Sequence, residues 1–214
     1  MKKIAIIGAG ISGLFFANLL KNNADYDFTV FEKKKLIGLE DGYGIQLSVN
    51  SIKLLNEIGF SNIDKTQIYN PKKINFINAK NNEKICDLDI SKFNYANNQY
   101  TTLKRSTLLK FLLNDIPKNK IKLNAQLKSL TNEKKLTLSF SENYVEEFDY
   151  LIVSDGVFSN TKSIILKKDI KPKYFNSLAL RGNIDDYPHG DISMFFGSNF
   201  HFVIYPVNQK KEFN

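Results

Sequence analysis

Three glycines within six residues, Gly8, Gly10 and Gly13, stand between two short apolar runs, and the second run ends in an acid. No other stretch restricts the fold as much. Residues 4–7 are apolar throughout, the pattern of a strand buried in a parallel sheet. The spacing predicts a helix over residues 14–20 and a second strand over 28–31, with Glu32 at its end, 19 residues after Gly13. Gly8 permits the tight turn out of the strand, Gly10 lets a pyrophosphate approach the backbone, and Gly13 lets helix and strand pack closely. The N-terminus of the helix, with Ser12 just ahead of it, offers free N–H groups and a partial positive charge to phosphates. Glu32 can accept hydrogen bonds from a ribose hydroxyl. Three glycines alone occur in many loops. Here strand, helix, second strand and acid fall in order, which is the context that gives the spacing meaning. A secretory signal peptide is the competing reading, because Lys2 and Lys3 precede the apolar stretch. It explains neither the glycine spacing nor Glu32, and Lys21-Asn22-Asn23 follows where a small-residue cleavage site would stand.

A chain of 214 residues, 43% hydrophobic, can hold one large domain or one domain with a smaller partner. No transmembrane segment is expected. The single cysteine, Cys86, excludes an internal disulfide and suits a reducing cytoplasm; it reads as a half-buried strand residue. The net charge of +8 raises nucleic acid as a partner. However, the only arginines are Arg105 and Arg181, the lysines are scattered, and phosphate and base readers lean on arginine forks, so no nucleic-acid partner is expected. Lys33, Lys34 and Lys35 read as a solvated turn beside Glu32. No metal-ligand set is expected.

Further along, Gly42 and Gly44 suggest a close backbone approach. A helix capped by Asn50 or Ser51 is expected through Ile58, with Leu54, Leu55 and Ile58 on one face and Gly59 as its stop. Strands are expected at 73–79 and 84–90 around an Asn81-Asn82 turn, an extended segment at 100–103, and a helix at 106–114 ended by Pro117. Further strands follow at 120–130, 135–140 and 144–148. Residues 150–153, apolar throughout, read as another buried parallel strand ended by Ser154-Asp155-Gly156, with a helix at 159–166. Beyond Pro172 the pattern changes to extended segments at 175–184, 192–196 and 200–207, which suggests a mostly antiparallel sheet. His189 reads as a turn residue.

Three motifs in this order resemble the FAD-dependent aromatic hydroxylases, the single-component flavoprotein monooxygenases related to hydroxybenzoate and salicylate hydroxylases. They are Gly8 to Gly13 with Glu32; Arg105-Ser106-Thr107-Leu108 at a helix start; and Asp155-Gly156-Val157-Phe158-Ser159-Asn160-Thr161-Lys162. Weaker matches are Gly44 to Asn50, Leu180-Arg181-Gly182, and His201 to Val207. The Asp-Gly motif after a second apolar strand separates this family from generic Rossmann dehydrogenases. The resemblance implies an α/β fold: a Rossmann-type FAD-binding domain with a parallel sheet, formed by residues 1–70 and 100–170, and a partial, mostly antiparallel substrate subdomain formed by 71–99 and 171–214.

It also implies roles. Arg105 would approach the FAD as a fixed multi-donor cation. Asp155 and Gly156 would help hold the cofactor, and Leu127 would touch the adenine through its backbone. His201 and Tyr205 are four apart, and such positions in a strand point to one face. Some hydroxybenzoate hydroxylases place a histidine and a tyrosine at this spacing beside the substrate, the histidine taking the phenol proton. Two readings therefore stand for the pair: catalytic residues on a pocket wall, or amphipathic sheet residues with no chemistry.

Lys162 departs from the family's arginine and Val49 from its usual proline. The later Gly-Asp motif is missing, since Gly190-Asp191 stands in a loop-to-strand context. The sequence looks like the N-terminal half to two-thirds of a family member, so a complementing C-terminal chain or a homo-oligomer is a possible partner. The activity implied is hydroxylation of a small phenolic substrate with NAD(P)H and O₂ by way of a flavin hydroperoxide. The alternatives are a catalytically incomplete dinucleotide-binding fragment and a quinone-biosynthesis hydroxylase relative. A disulfide-reductase-type enzyme would need a partner for Cys86.

Overall fold

The computed structural model describes residues 1–39 and 43–214; Gly42, singled out above, lies outside them. The chain opens with strand β1 (Lys2–Ile7), helix α1 (Ile11–Leu20) and strand β2 (Tyr26–Phe31). Next come β3 (Gly44–Leu47), α2 (Val49–Asn56), β4 (Ile68–Tyr69), β5 (Lys73–Asn78), β6 (Lys84–Asp89), β7 (Thr101–Lys104) and α3 (Arg105–Asn114). The remainder is β8 (Ile121–Lys122), β9 (Leu127–Asn132), β10 (Leu136–Phe140), β11 (Val145–Phe148), β12 (Tyr150–Val153), α4 (Asn160–Leu166), β13 (Ile184–Asp185), β14 (Ile192–Phe196), β15 (His201–Ile204) and β16 (Glu212–Phe213).

Two compact units emerge. The first is Met1–Gly38 with Leu109–Leu178, the second Leu39–Leu108 with Ala179–Asn214. The first holds a parallel sheet in the order β12-β1-β2-β8 and an antiparallel sheet β11-β10-β9. Its core gathers Ala5, Ile7, Phe31, Leu127, Leu138, Phe140 and Phe148. Phe31 stacks on Phe140 at 4.0 Å between centroids and meets Phe148 edge-on, a geometry worth about 0.5–1.5 kcal/mol per pair beyond area burial. The buried Asn18 amide donates to Leu14 O (2.9 Å) and Leu112 O (2.7 Å), which ties α1 to the second half of α3.

The second unit holds β3-β7-β4, all antiparallel, and a four-stranded sheet β15-β14-β5-β6 in which only β14 and β5 run parallel. Ile90, Ile192, Tyr205 and Val207 form its core, with Tyr100 and Val203 packed against them. Gly44 is needed here, because a Cβ would sit 2.6 Å from Asn214 Cβ and 2.7 Å from Val207 Cγ1.

Several expected elements differ. The strand expected over 120–130 is broken: Asn124 adopts φ +56°, and Ala125 N donates to Glu32 O at 2.9 Å, pulling the chain across the end of β2. Strand β12 is parallel as expected but not buried. Among the described residues it pairs with β1 alone, and Tyr150 and Val153 are 50% and 41% exposed. Helix α2 starts at Val49 after Ser48, and its buried face is Ile52 and Leu55, three apart, which turns Leu54 outward. Residues 175–183 form no strand, and Leu178 and Leu180 are exposed. Cys86 is a strand residue but exposed on β6.

Candidate dinucleotide site and the second-unit tyrosine cluster

The ends of β1, β2 and β12 open onto one cleft of about 230 Å³. Because β1 lies between the other two, the turns that follow all three strands meet there. After β1, Gly8 adopts φ +105° and its N–H donates to Phe31 O (2.8 Å). A side chain at Gly8 would strike Ser154 O at 2.5 Å, and one at Gly13 would lie 2.0 Å from Gly8 O and 2.7 Å from Ser154 Oγ. Gly13 thus serves packing and sits behind the cleft wall. Gly10 is different: a Cβ there meets no described atom within 4 Å. It is also the N-cap of α1, and no side chain caps that helix and no acid stands in its first turn. The first-turn N–H groups, with exposed Ser12 among them, therefore carry the helix's partial positive charge with no acid in that turn to offset it.

Glu32 is fixed by two backbone donors, Ala9 N to Oε2 and Lys34 N to Oε1, both 3.0 Å. Each carboxylate oxygen keeps a lone pair for a further donor. Lys33 and Lys34 are exposed, as a solvated turn would be, yet both also line the cleft. On the other side stands Asp155. Its Oδ2 accepts from Thr161 Oγ1 (2.8 Å) and, at 3.4 Å, from Thr161 N, while its buried Oδ1 has no partner among the described residues. A buried unpaired carboxylate oxygen is costly, and a hydroxyl-bearing ligand would relieve it. Gly156 follows at φ +81° with open space where a Cβ would point. Leu127 also lines the cleft, beside Ala125 and Gln126.

The structure thus gathers Gly8, Gly10, Glu32, Leu127, Asp155 and Gly156 at one cleft. Ser154 and Thr161, missed in the sequence, hold the Gly8 turn and the Asp155 carboxylate. Their signal was adjacency: one precedes Asp155, the other lies just inside the helix capped by Ser159.

Arg105, His201 and Tyr205 lie in the second unit. Tyr43 O accepts from Arg105 N (2.9 Å), and the Arg105 guanidinium stands 5.7 Å from the Tyr43 ring centroid. His201 is exposed at the start of β15, whereas Tyr205 lies one residue past its end and is 7% exposed. The same-face rule therefore does not carry through to Tyr205. The Tyr205 hydroxyl donates to Asn214 Oδ1 at 3.2 Å, and burial pushes its pKa up while Arg181 and Gln46 pull against that shift. Tyr100, also raised by burial, donates to Gln46 Oε1 at 2.8 Å.

A glycine turn, an uncapped helix start, an anchored acid and an aspartate with one unpaired oxygen, all at the ends of parallel strands, make a Rossmann-like arrangement. Residues 6–40 match the family described as NAD(P)-binding Rossmann-like domain. Over most of its length the chain is similar to FAD-dependent monooxygenases. It is 25% identical over 210 residues to the monooxygenase asqM of Emericella nidulans, covering 88% of this chain and 46% of that one. It is 25% identical over 238 residues to the FAD-dependent monooxygenase pigN of Monascus ruber, covering 99% and 53%. The fold matches that of Klebsiella pneumoniae HpxO complexed with FAD and uric acid, with a TM-score of 0.80 at 19% identity over 99% of this chain and 55% of that one. The chain spans about half the length of the curated relatives it matches.

Proposed function

We propose that the chain binds FAD and forms part of a flavoprotein monooxygenase that hydroxylates a small phenolic substrate with NAD(P)H and O₂. The observation that carries this reading is the convergence of Gly10, Glu32 and the unpaired Asp155 Oδ1 on one cleft. The residues fit the group. The α1 N-terminus would receive the pyrophosphate, Glu32 a ribose hydroxyl and Leu127 the adenine edge. Asp155 Oδ1 would accept from a further hydroxyl of the cofactor. A bound flavin, reduced by NAD(P)H, supplies the activation of O₂ that no side chain can provide. The protein's share is to hold the ring and its proton. Tyr205 and His201 are the residues proposed to face the phenol, and Arg105 is proposed to approach the FAD.

The proposed division of labour assigns residues 1–70 with 100–170 to the cofactor and 71–99 with 171–214 to the substrate; the compact units group residues 39–70 and 100–108 with the second sheet. A cytoplasmic setting accords with a free, exposed Cys86. No helix among the described residues is long and apolar enough to cross a membrane.

A second reading, a dinucleotide-binding module that performs no hydroxylation by itself, is favoured by one observation. Asp191, of the Gly190-Asp191 pair, uses Oδ1 to accept from Lys72 N (2.8 Å) and Lys73 N (3.0 Å). Its carboxylate serves the sheet rather than a cofactor, and a completing segment from another chain or a second copy would supply what is needed. The purified protein separates the readings. Flavin absorbance that stays with it through gel filtration after FAD is added supports the FAD site, and phenol-dependent NAD(P)H oxidation supports the hydroxylase. Retention of FAD without oxidation supports the module. A colourless protein that fails to retain added FAD overturns the monooxygenase reading and leaves an incomplete relic of the fold.

A further inference from the structure

The two arginines of this lysine-rich chain converge on one ring. Arg181 stands 4.8 Å and Arg105 5.7 Å from the Tyr43 centroid. The side chain of Asn214 ties together the residues next to that ring and that cation. Its Oδ1 accepts from Gly44 N and from the Tyr205 hydroxyl, and its Nδ2 donates to Gly182 O at 2.8 Å. One amide therefore spans the neighbour of Tyr43, the neighbour of Arg181, and Tyr205 itself. From β3, Gln46 holds the Tyr100 hydroxyl through Oε1 at 2.8 Å. The bond that the Tyr205 hydroxyl donates to Asn214, at 3.2 Å, is long for O–H···O, so an anionic acceptor would outcompete it.

We propose that Tyr43 is a positioning residue that holds the Arg181 guanidinium beside Tyr205, so that Arg181 and Tyr205 together receive the ionised oxygen of a phenolate. This rests on the reading that Tyr205 faces a phenolic substrate, and it selects the anionic form of that substrate. A ring face suits this role because it attracts the planar cation without consuming its N–H donors, which a carboxylate partner would occupy. Asn214 bonds both the Tyr205 hydroxyl and the carbonyl of Gly182, the residue after Arg181, and Arg181 is the cation whose charge acts on that hydroxyl.

The test uses the protein without FAD and 4-nitrophenol as probe, because its phenolate absorbs where the phenol does not. Bound to the native chain, the dye should ionise at a pH lower than in buffer by about half a unit or more, the effect of one nearby, partly exposed cation. Tyr43→Leu and Arg181→Gln should both return the midpoint to that of free dye. Tyr43→Phe, which keeps the ring, should preserve the shift, an outcome that a merely structural role would not give. If Tyr43→Leu does not fold, Arg181→Gln, a change at an exposed side chain, decides the matter. A dye that is unshifted or unbound overturns the proposal, as does an unchanged shift in Arg181→Gln. Because the probe needs no flavin, a shifted dye beside absent FAD retention would sink the hydroxylase reading and leave the phenolate site standing.

Discussion

The guanidinium of Arg181 lies over the ring of Tyr43, 4.8 Å from its centroid, although the two residues sit far apart in the sequence. Arginine stacks on aromatic faces better than lysine does, which gives a reason for arginine at this site in a chain that otherwise uses lysine. If the contact is energetic as well as geometric, a double-mutant cycle of Arg181→Gln and Tyr43→Leu should give a coupling of about 0.5–1 kcal/mol in urea unfolding, the usual range for a partly exposed cation–π pair. Additive effects would show that the two merely happen to be neighbours.

Tyr144 makes a prediction about alkaline pH. Its burial, together with the hydrogen bond and charge of Glu146, pushes its phenol up to about 12 from the ordinary 10.0. The Lys122 ammonium stands 3.6 Å from the same ring. The folded chain therefore holds this proton more tightly than the unfolded chain does. The stabilisation is complete below pH 10 and is lost as the pH climbs towards 12. The urea midpoint should fall across that window, and Tyr144→Phe should fall less steeply. Parallel curves would mean that other groups govern the alkaline limb.

Asp155 separates binding from stability. Its Oδ2 is held by Thr161, while Oδ1 is buried without a described partner. Replacing the carboxylate with an amide removes the charge and puts an equally unpaired N–H donor in place of Oδ1, since Oδ2 must keep accepting from Thr161, so Asp155→Asn should leave the melting temperature nearly unchanged. The same change removes an acceptor from the cleft, and FAD affinity, followed by quenching of flavin fluorescence, should drop at least about tenfold for one lost charge-assisted bond. A melting temperature several degrees lower would assign Asp155 to the fold instead.

The cleft was legible because its parts are local and chemically specific. Gly8, Gly10, Gly13 and Glu32 fall within a single strand–helix–strand unit, and Asp155-Gly156 follows a strand of the same apolar type. What the sequence hid is of two kinds. One is conformational: Asn124 turns left-handed and brings Ala125 to Glu32, which no periodicity announces. The other is long-range. Nothing near Tyr43 signals that Arg105 and Arg181 will meet it, or that Asn214 will seat itself over Gly44. The His201–Tyr205 spacing does not by itself put the two side chains on one face, for a related reason. Alternation holds only inside a strand, and β15 ends at Ile204.

The glycines of the first turn should fail in opposite ways. A methyl group at Gly13 would lie 2.0 Å from Gly8 O, a backbone atom that β1 holds in place. Gly13→Ala should therefore cost about 1–3 kcal/mol or more of stability, the usual range for overpacking, and lose FAD retention only as a consequence. At Gly10 the same methyl meets nothing, and φ −85° and ψ −175° suit any residue. Its only structural cost is a poorer helix cap, at most about 1 kcal/mol. Yet it would stand at the start of α1, where the pyrophosphate is expected to approach. Gly10→Ala should fold like the parent and retain little flavin after gel filtration. If instead Gly10→Ala retains FAD while Gly13→Ala folds normally, the cofactor does not sit on this turn and the assignment of the cleft is wrong.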